Sequence, residues 1–95
     1  MKFLEEYGFS KDEVTVIEKK VPTLLKNKIK EHKNIVSQNI AFLKELEIPN
    51  YKEIFTKYYD MFLMDVTNFQ DIFTKYDKED LIEKLVKNIA IIEHL

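Results

Sequence analysis

Four short segments of this sequence share a pattern that begins an α-helix. In each, a serine, asparagine or aspartate is followed three residues later by an acidic residue, and then by an apolar one. The first side chain can accept a hydrogen bond from a free backbone N–H, and the acidic side chain can reach back to the first residue. We therefore predict a separate helix start at each. The four pairs are Ser10 and Glu13, Asn50 and Glu53, Asn68 and Asp71, and Asp77 and Asp80.

Two of these starts lie within a nine-residue phrase that occurs twice, as NYKEIFTKY at 50–58 and as NFQDIFTKY at 68–76. Such a repeat is a duplicated binding site, a repeated structural unit or a coincidence. Its matching isoleucine, phenylalanine and tyrosine residues have the spacing of a buried helix face, which favours the structural unit. We interpret each copy of the phrase as the beginning of a short helix.

Helix ends are placed by the few glycine and proline residues. The chain has one glycine and two prolines, too few turn residues for a sheet protein. Gly8 can take the left-handed conformation that ends a helix, and Pro22 and Pro49 interrupt the segments before them. We predict helices near 2–7, 11–20, 22–47, 51–58, 60–66, 69–76 and 78–94. Breaks are expected inside two of these, around 27–31 or at Asn34, and near Asn88.

The predicted fold class is all-α. A length of 95 residues corresponds to one domain, which we place at 1–95. Apolar residues make up 45% of the chain and charged residues 34%, so the chain is globular and not disordered. Its short helices form either a repeat-like right-angled stack or a compact helical bundle.

Several classes of protein are disfavoured by what the sequence lacks. It has no cysteine, so disulfides, thiolate zinc sites and cysteine nucleophiles are excluded. This is typical of an intracellular protein, and we expect a cytoplasmic one. No apolar run approaches the ~18 residues of a membrane span. Glu5 and Glu6 are unlike a secretory or transit peptide. The apolar face of 22–47 is expected to pack in the core, so we expect no membrane role.

Patterns for catalysis and metal binding are also missing. The two histidines, His32 and His94, do not have the spacing of a metal-binding pair, and we expect His32 to be partly buried between Ile29 and Val36. The acids at 77–83 suit a helix start, and they lack the glycine of a calcium loop. No serine has a histidine at a fixed spacing. We predict a non-catalytic protein with no cofactor, no metal and no small-molecule substrate.

A basic segment, residues 19–33, is a candidate binding surface. It holds six lysines and one acid, Glu31. If 22–33 is one helix, Lys26, Lys30 and Lys33 lie in a narrow stripe that can contact phosphates; the alternative is a solvated outer face. The lack of arginine and the seven acids between 60 and 83 weaken the nucleic-acid hypothesis. Its candidate residues are Lys19, Lys20, Lys26, Lys30 and Lys33.

Aromatic and methionine residues crowd between 58 and 64. Side chains of this kind at helical spacing usually form a core. The alternative is an exposed aromatic patch that docks a protein. The candidate residues for such a patch are Tyr58, Tyr59 and Phe62.

A further likeness lies in FLEEYGFSKDEVTVIEKKVPTLL at 3–25, which resembles one repeat of the mitochondrial transcription termination factor family. A second copy begins at Phe42 and departs from the family pattern at Glu47, where a glycine is expected, and at Tyr59, where a proline is expected. Residues 78–95 look like a ragged third copy. The resemblance implies a solenoid of short helices that binds nucleic acid along a basic concave face. The matching residues of the first copy are Phe3, Leu4, Gly8, Phe9, Ser10, Pro22, Leu24 and Leu25.

Two functions are expected. The first is a non-catalytic helical-repeat interaction module that binds a protein partner or a second copy of itself. It is favoured by the missing catalytic groups, the aromatic residues, and a net charge of −2 divided between a basic and an acidic region. The alternative is a nucleic-acid-binding helical repeat that uses the basic segment.

Overall fold

Six α-helices and three short 3₁₀ helices make up the fold in a computed structural model that describes residues 1–95. There is no strand, so the all-α prediction is confirmed. The α-helices are α1 (Lys11–Lys20), α2 (Thr23–Glu31), α3 (Lys33–Glu45), α4 (Tyr51–Lys57), α5 (Val66–Thr74) and α6 (Lys78–Lys87). The 3₁₀ helices, named first to third in chain order, are Lys2–Tyr7, Tyr59–Leu63 and Ile89–His94.

Helix α3 is the centre of the packing. It contacts α2, α4, α5 and the first two 3₁₀ helices, and its buried apolar residues are Val36, Ile40 and Leu43. A single cluster of 19 buried residues forms the core. The radius of gyration is 12.8 Å, close to the ~13 Å of a compact 100-residue domain. Of the two predicted architectures, the structure therefore has the compact bundle.

A row of five phenylalanine rings runs through the core. Successive ring centroids are 5.7, 5.0, 5.1 and 5.0 Å apart, distances at which tilted and edge-to-face pairs attract. The row joins the start of α1 to α4, the second 3₁₀ helix and α5. In order, the rings are those of Phe9, Phe55, Phe62, Phe69 and Phe73.

Two of the predicted helix starts are confirmed by their cap hydrogen bonds. Ser10 Oγ accepts from the N–H of Glu13, and Glu13 Oε1 accepts from the N–H of Ser10, which completes a capping box. Asp77 accepts from the N–H of Asp80 at the start of α6. Both caps are local, because donor and acceptor lie three residues apart, and for this reason the sequence alone could place them.

Of the other two predicted starts, the one at Asn50 is confirmed but lacks its cap hydrogen bond, and the one at Asn68 is wrong. Asn50 stands at the start of α4, but its side chain makes no cap bond and donates instead to the carbonyl of Leu85 at 3.1 Å. Asn68 lies inside α5, so its predicted cap is wrong: Asp65 caps this helix and accepts from the N–H of Asn68. The helix therefore begins three residues earlier than predicted, at the half-buried Val66.

The predicted helix 22–47 is divided at His32, between the two positions at which a break was expected. His32 has φ −106° and ψ 31°, so α2 ends there and α3 begins with Lys33. The side chain of His32 is exposed, and the expectation that it would be partly buried is wrong. The expectation assumed one continuous helix, whereas His32 lies at the junction between α2, which buries Ile29, and α3, which buries Val36. The break expected near Asn88 is confirmed.

Gly8 ends the first 3₁₀ helix with φ 93°, as predicted. A Cβ atom at this residue would lie 2.5 Å from the hydroxyl oxygen of Tyr51, and that hydroxyl donates to the carbonyl of Tyr7 at 2.7 Å. Because Gly8 has no side chain, it can adopt the left-handed conformation, and it leaves room for Tyr51 of α4 to approach the backbone.

Candidate functional site

The predicted lysine stripe does not lie on one helix. Lys26 and Lys30 are on α2, whereas Lys33 is the first residue of α3. The prediction required 22–33 to be continuous, and His32 leaves the helical conformation. Lys19 and Lys20 are exposed at the end of α1. The five candidate lysines are therefore distributed over three helices.

The lysines also face different surroundings. Lys26 and Lys30 lie close enough to Glu18 for their charges to lower the pKa of its carboxyl group, although the hydrogen bond from the α-ammonium group of Met1 is the larger cause. Lys33 lines a separate, polar cavity of about 460 Å³ together with Glu6. None of the six lysines of the basic segment forms an ion pair.

The predicted aromatic patch is largely internal. Phe62 is fully buried, and Tyr59 is half-buried against the core. The hydroxyl group of Tyr58 donates to Glu93 Oε2 at 2.8 Å, and this bond, with the carboxylate charge beside it, raises the pKa of Tyr58. Tyr58 therefore links the end of α4 to the third 3₁₀ helix.

Two adjoining cavities form a groove beside α6, which we call the C-terminal groove. Their volumes are about 350 and about 180 Å³. Tyr76 and Leu81 line both, so the two cavities adjoin each other at these residues. The remaining lining residues are Leu46, Ile48, Phe73, Thr74, Asp77, Lys78, Asp80, Ile82, Lys84, Ile91, His94 and Leu95.

The groove combines apolar side chains with charges of both signs. Tyr76 stands in the turn between α5 and α6 and keeps 39% of its surface exposed. Asp77, the N-cap of α6, and Asp80, in its first turn, form no ion pair, whereas Lys78 pairs with Glu47 at 3.3 Å. Lys84 also lines the groove and forms no ion pair.

Tyr76 is not among the binding residues predicted from the sequence. The only sequence feature that points to Tyr76 is its position in the second copy of the phrase, which corresponds to Tyr58 in the first. Its exposure depends on the turn after α5 and on the position of the third 3₁₀ helix, which contacts α6. Neither feature can be read from local periodicity.

A second side chain that the sequence analysis missed is the buried amide of Asn39. Its Nδ2 donates to the carbonyls of Phe62 and Met64 at 3.0 and 3.1 Å. Those carbonyls belong to the segment that joins α4 to α5. Asn39 therefore attaches this segment to α3, and its role is structural.

The structure contains no group of three or more histidine, cysteine, aspartate or glutamate side chains that could hold a metal ion. His94 lines the C-terminal groove, and His32 is exposed at the junction of α2 and α3. None of the helices has both the length and the apolar character needed to cross a bilayer. No known protein family, curated protein or solved structure matches this chain.

Proposed function

We propose that this protein is a non-catalytic interaction module that binds a protein partner in the C-terminal groove. The observation that carries the proposal is that the exposed Tyr76 lines both of these adjoining cavities, together with Leu81. Tyrosine is among the residues that contribute most to binding energy at protein interfaces. Tyr76 is also one of the few large apolar side chains exposed on this protein.

The volume of the groove suits side chains of a partner. An enclosed apolar cavity of about 150 Å³ holds a benzene molecule, so even the smaller cavity, of about 180 Å³, has room for an apolar side chain. The flanking carboxylates of Asp77 and Asp80 would attract cationic residues next to that side chain. A short amphipathic helix offers this combination at successive turns.

The proposal is tested by selecting helical peptides from a random library on the wild-type protein and measuring their binding to two variants. Tyr76→Asp places a charge in the groove and is expected to weaken binding at least tenfold, or by more than about 1.4 kcal/mol. Val16→Asp is the matched control, since Val16 is 58% exposed on α1, outside the groove. Peptides that bind Tyr76→Asp as tightly as wild type would overturn the proposal.

Nucleic-acid binding by the basic segment is the second candidate function. It is favoured by the six lysines without ion pairs and by a turn that occurs twice. Gly8 and Phe9 donate to the carbonyls of residues 5 and 4, and Glu47 and Ile48 donate in the same pattern to those of residues 44 and 43. Glu47 has φ 60°, so it takes the conformation of the glycine expected there from the resemblance to the transcription termination factor repeat.

This second function has its own test. Fluorescence anisotropy with a labelled DNA or RNA duplex at about 50 mM salt should show binding that weakens steeply as salt is added. The double variant Lys26→Glu, Lys30→Glu should weaken it further, and Tyr76→Asp should leave it unchanged. No change in anisotropy at this salt concentration would exclude the function.

A further inference from the structure

We propose that the occupant of the C-terminal groove is α2 of a second copy of this chain, so that copies associate head to tail. This inference rests on the proposed function and names its partner. It is carried by an exposed apolar residue on α2, by the lysine one turn away from it, and by two carboxylates of the groove that form no ion pair.

Leu24 is the most exposed large apolar residue of the protein, at 71%. It lies on α2 opposite the buried face formed by Ile29 and the half-buried Leu25. Lys28 follows Leu24 by four residues, so their side chains stand on the same outer face of the helix. Lys28 is exposed and forms no ion pair. The outer face of α2 therefore presents an apolar side chain with an ammonium group beside it.

The C-terminal groove complements this pair. Leu81, Ile91 and Tyr76 supply apolar contacts for a leucine side chain. Asp77 and Asp80, at the start of α6, supply carboxylates for a neighbouring ammonium group, and Lys84 lines the same cavity one turn after Asp80. The complementarity extends beyond the contact: the basic segment has six lysines and one acid, whereas residues 60–83 have seven acids and two lysines. Opposite charges of this kind orient two molecules as they approach.

The two surfaces belong to different parts of the chain, so the association is heterologous. Each copy that docks its α2 keeps a free groove, and chains of copies grow unless a ring closes. One helix face covers less area than a stable interface needs, so we expect weak association. The wild-type protein should therefore be monomeric when dilute and should form a series of larger species at high concentration.

Sedimentation velocity between about 10 µM and about 1 mM, a range that covers weak association, tests the proposal. The weight-average sedimentation coefficient of wild type should rise with concentration, and it should rise less at about 500 mM salt than at about 50 mM. Leu24→Asp and Tyr76→Asp should each remain monomeric, whereas the control Val16→Asp should associate like wild type. A wild-type protein that is monomeric throughout this range would overturn the proposal.

Mixing the two defective variants makes the test specific. Leu24→Asp retains an intact groove and Tyr76→Asp retains an intact α2, so an equimolar mixture should form 1:1 dimers and nothing larger. A mixture that remains monomeric, while wild type associates, would show that the two surfaces do not meet. Circular dichroism of each variant checks that its helices are intact, which is expected because both residues are exposed.

Exchanging the charges of Lys28 and Asp80 is a second, independent test of the proposal. Lys28→Glu and Asp80→Lys should each weaken association at least tenfold, and the double variant should recover most of it. Failure of the double variant to recover would contradict the pairing of these two residues. If the protein stays monomeric but library peptides still bind wild type and not Tyr76→Asp, the groove is a binding site for another protein and only the self-docking inference is wrong.

Discussion

The two copies of the nine-residue phrase, 50–58 and 68–76, end on tyrosines that have different surroundings. Tyr58 donates a hydrogen bond to Glu93 and ties α4 to the third 3₁₀ helix. Tyr76 has no hydrogen bond through its hydroxyl group and lines both cavities of the C-terminal groove. The same residue at the same place in the phrase is hydrogen-bonded to another element in one copy and exposed beside two cavities in the other.

The copies also begin differently. Asn50 directly precedes α4, whereas Asn68 is the third residue of α5, because Asp65 is available three residues earlier to cap that helix. The copies share a central phenylalanine that is buried in both, Phe55 and Phe73. The residues that the two copies share thus form a buried helix face. The start and the end of each copy depend on contacts with residues outside it.

The largest difference is expected when the shared phenylalanine is removed. Phe55 contacts the rings of Phe9 and Phe62, and no cavity adjoins it. Phe73 contacts one ring, that of Phe69, and lines the groove. Phe55→Ala should lower the free energy of unfolding by about 4 to 5 kcal/mol and Phe73→Ala by about 3 kcal/mol. Urea denaturation followed by circular dichroism measures both, and equal losses would contradict the stated difference in packing.

A smaller effect on stability is expected at the start of α5, where Asp65 and Asn68 are the two possible caps. Asp65→Ala removes the cap of α5 and should cost about 1 kcal/mol. Asn68→Ala should change the stability by no more than about 0.5 kcal/mol, since alanine is a better helix residue than asparagine. The same denaturation assay compares the two variants. A greater loss from Asn68→Ala would place the start of α5 at Asn68 and make the two copies equivalent.

The smallest effect concerns a charge that only the first copy has. Lys52 lies 3.4 Å from Glu13, and its counterpart in the second copy is Gln70. The pKa of Glu13 is lowered, mainly by the hydrogen bond from the Ser10 N–H and further by Lys52. This stabilisation is present above the ordinary pKa of glutamate and is lost as the pH falls through the lowered value.

The variant Glu13→Gln isolates this contribution. Wild type should lose more stability than the variant between about pH 5 and about pH 3, by less than about 1 kcal/mol because the pair is exposed. Thermal melting at a series of pH values measures the difference. Parallel pH profiles for the two proteins would show that the charge of Glu13 adds nothing to the stability of this contact.

Much of the fold follows from local signals in the sequence. The caps at Ser10 and Asp77 and the left-handed turn at Gly8 each involve residues within one turn of helix, and all three were predicted. The start of α5 was placed wrongly because Asp65 and Asn68 are both suitable caps. In the structure the helix begins at Val66, directly after Asp65, so Asp65 is the cap that is used.

The candidate site was much less predictable. The residues before Tyr58 and Tyr76 do not distinguish the two, since both tyrosines follow Ile-Phe-Thr-Lys. What separates them is the third 3₁₀ helix, whose Glu93 accepts from Tyr58 and whose Ile91 lines the groove with Tyr76. Contacts over such sequence distances arise only from the folded arrangement.

The most direct test of a binding surface at the second copy compares Tyr76→Ala with Tyr58→Ala, in their affinity for the library peptides that bind wild type. Tyr76→Ala should reduce the affinity at least tenfold and leave the melting temperature nearly unchanged. Tyr58→Ala should lower the melting temperature and keep the affinity within about threefold of wild type, or about 0.7 kcal/mol. Loss of affinity in folded Tyr58→Ala, with wild-type affinity in Tyr76→Ala, would place the surface at the first copy and contradict the account.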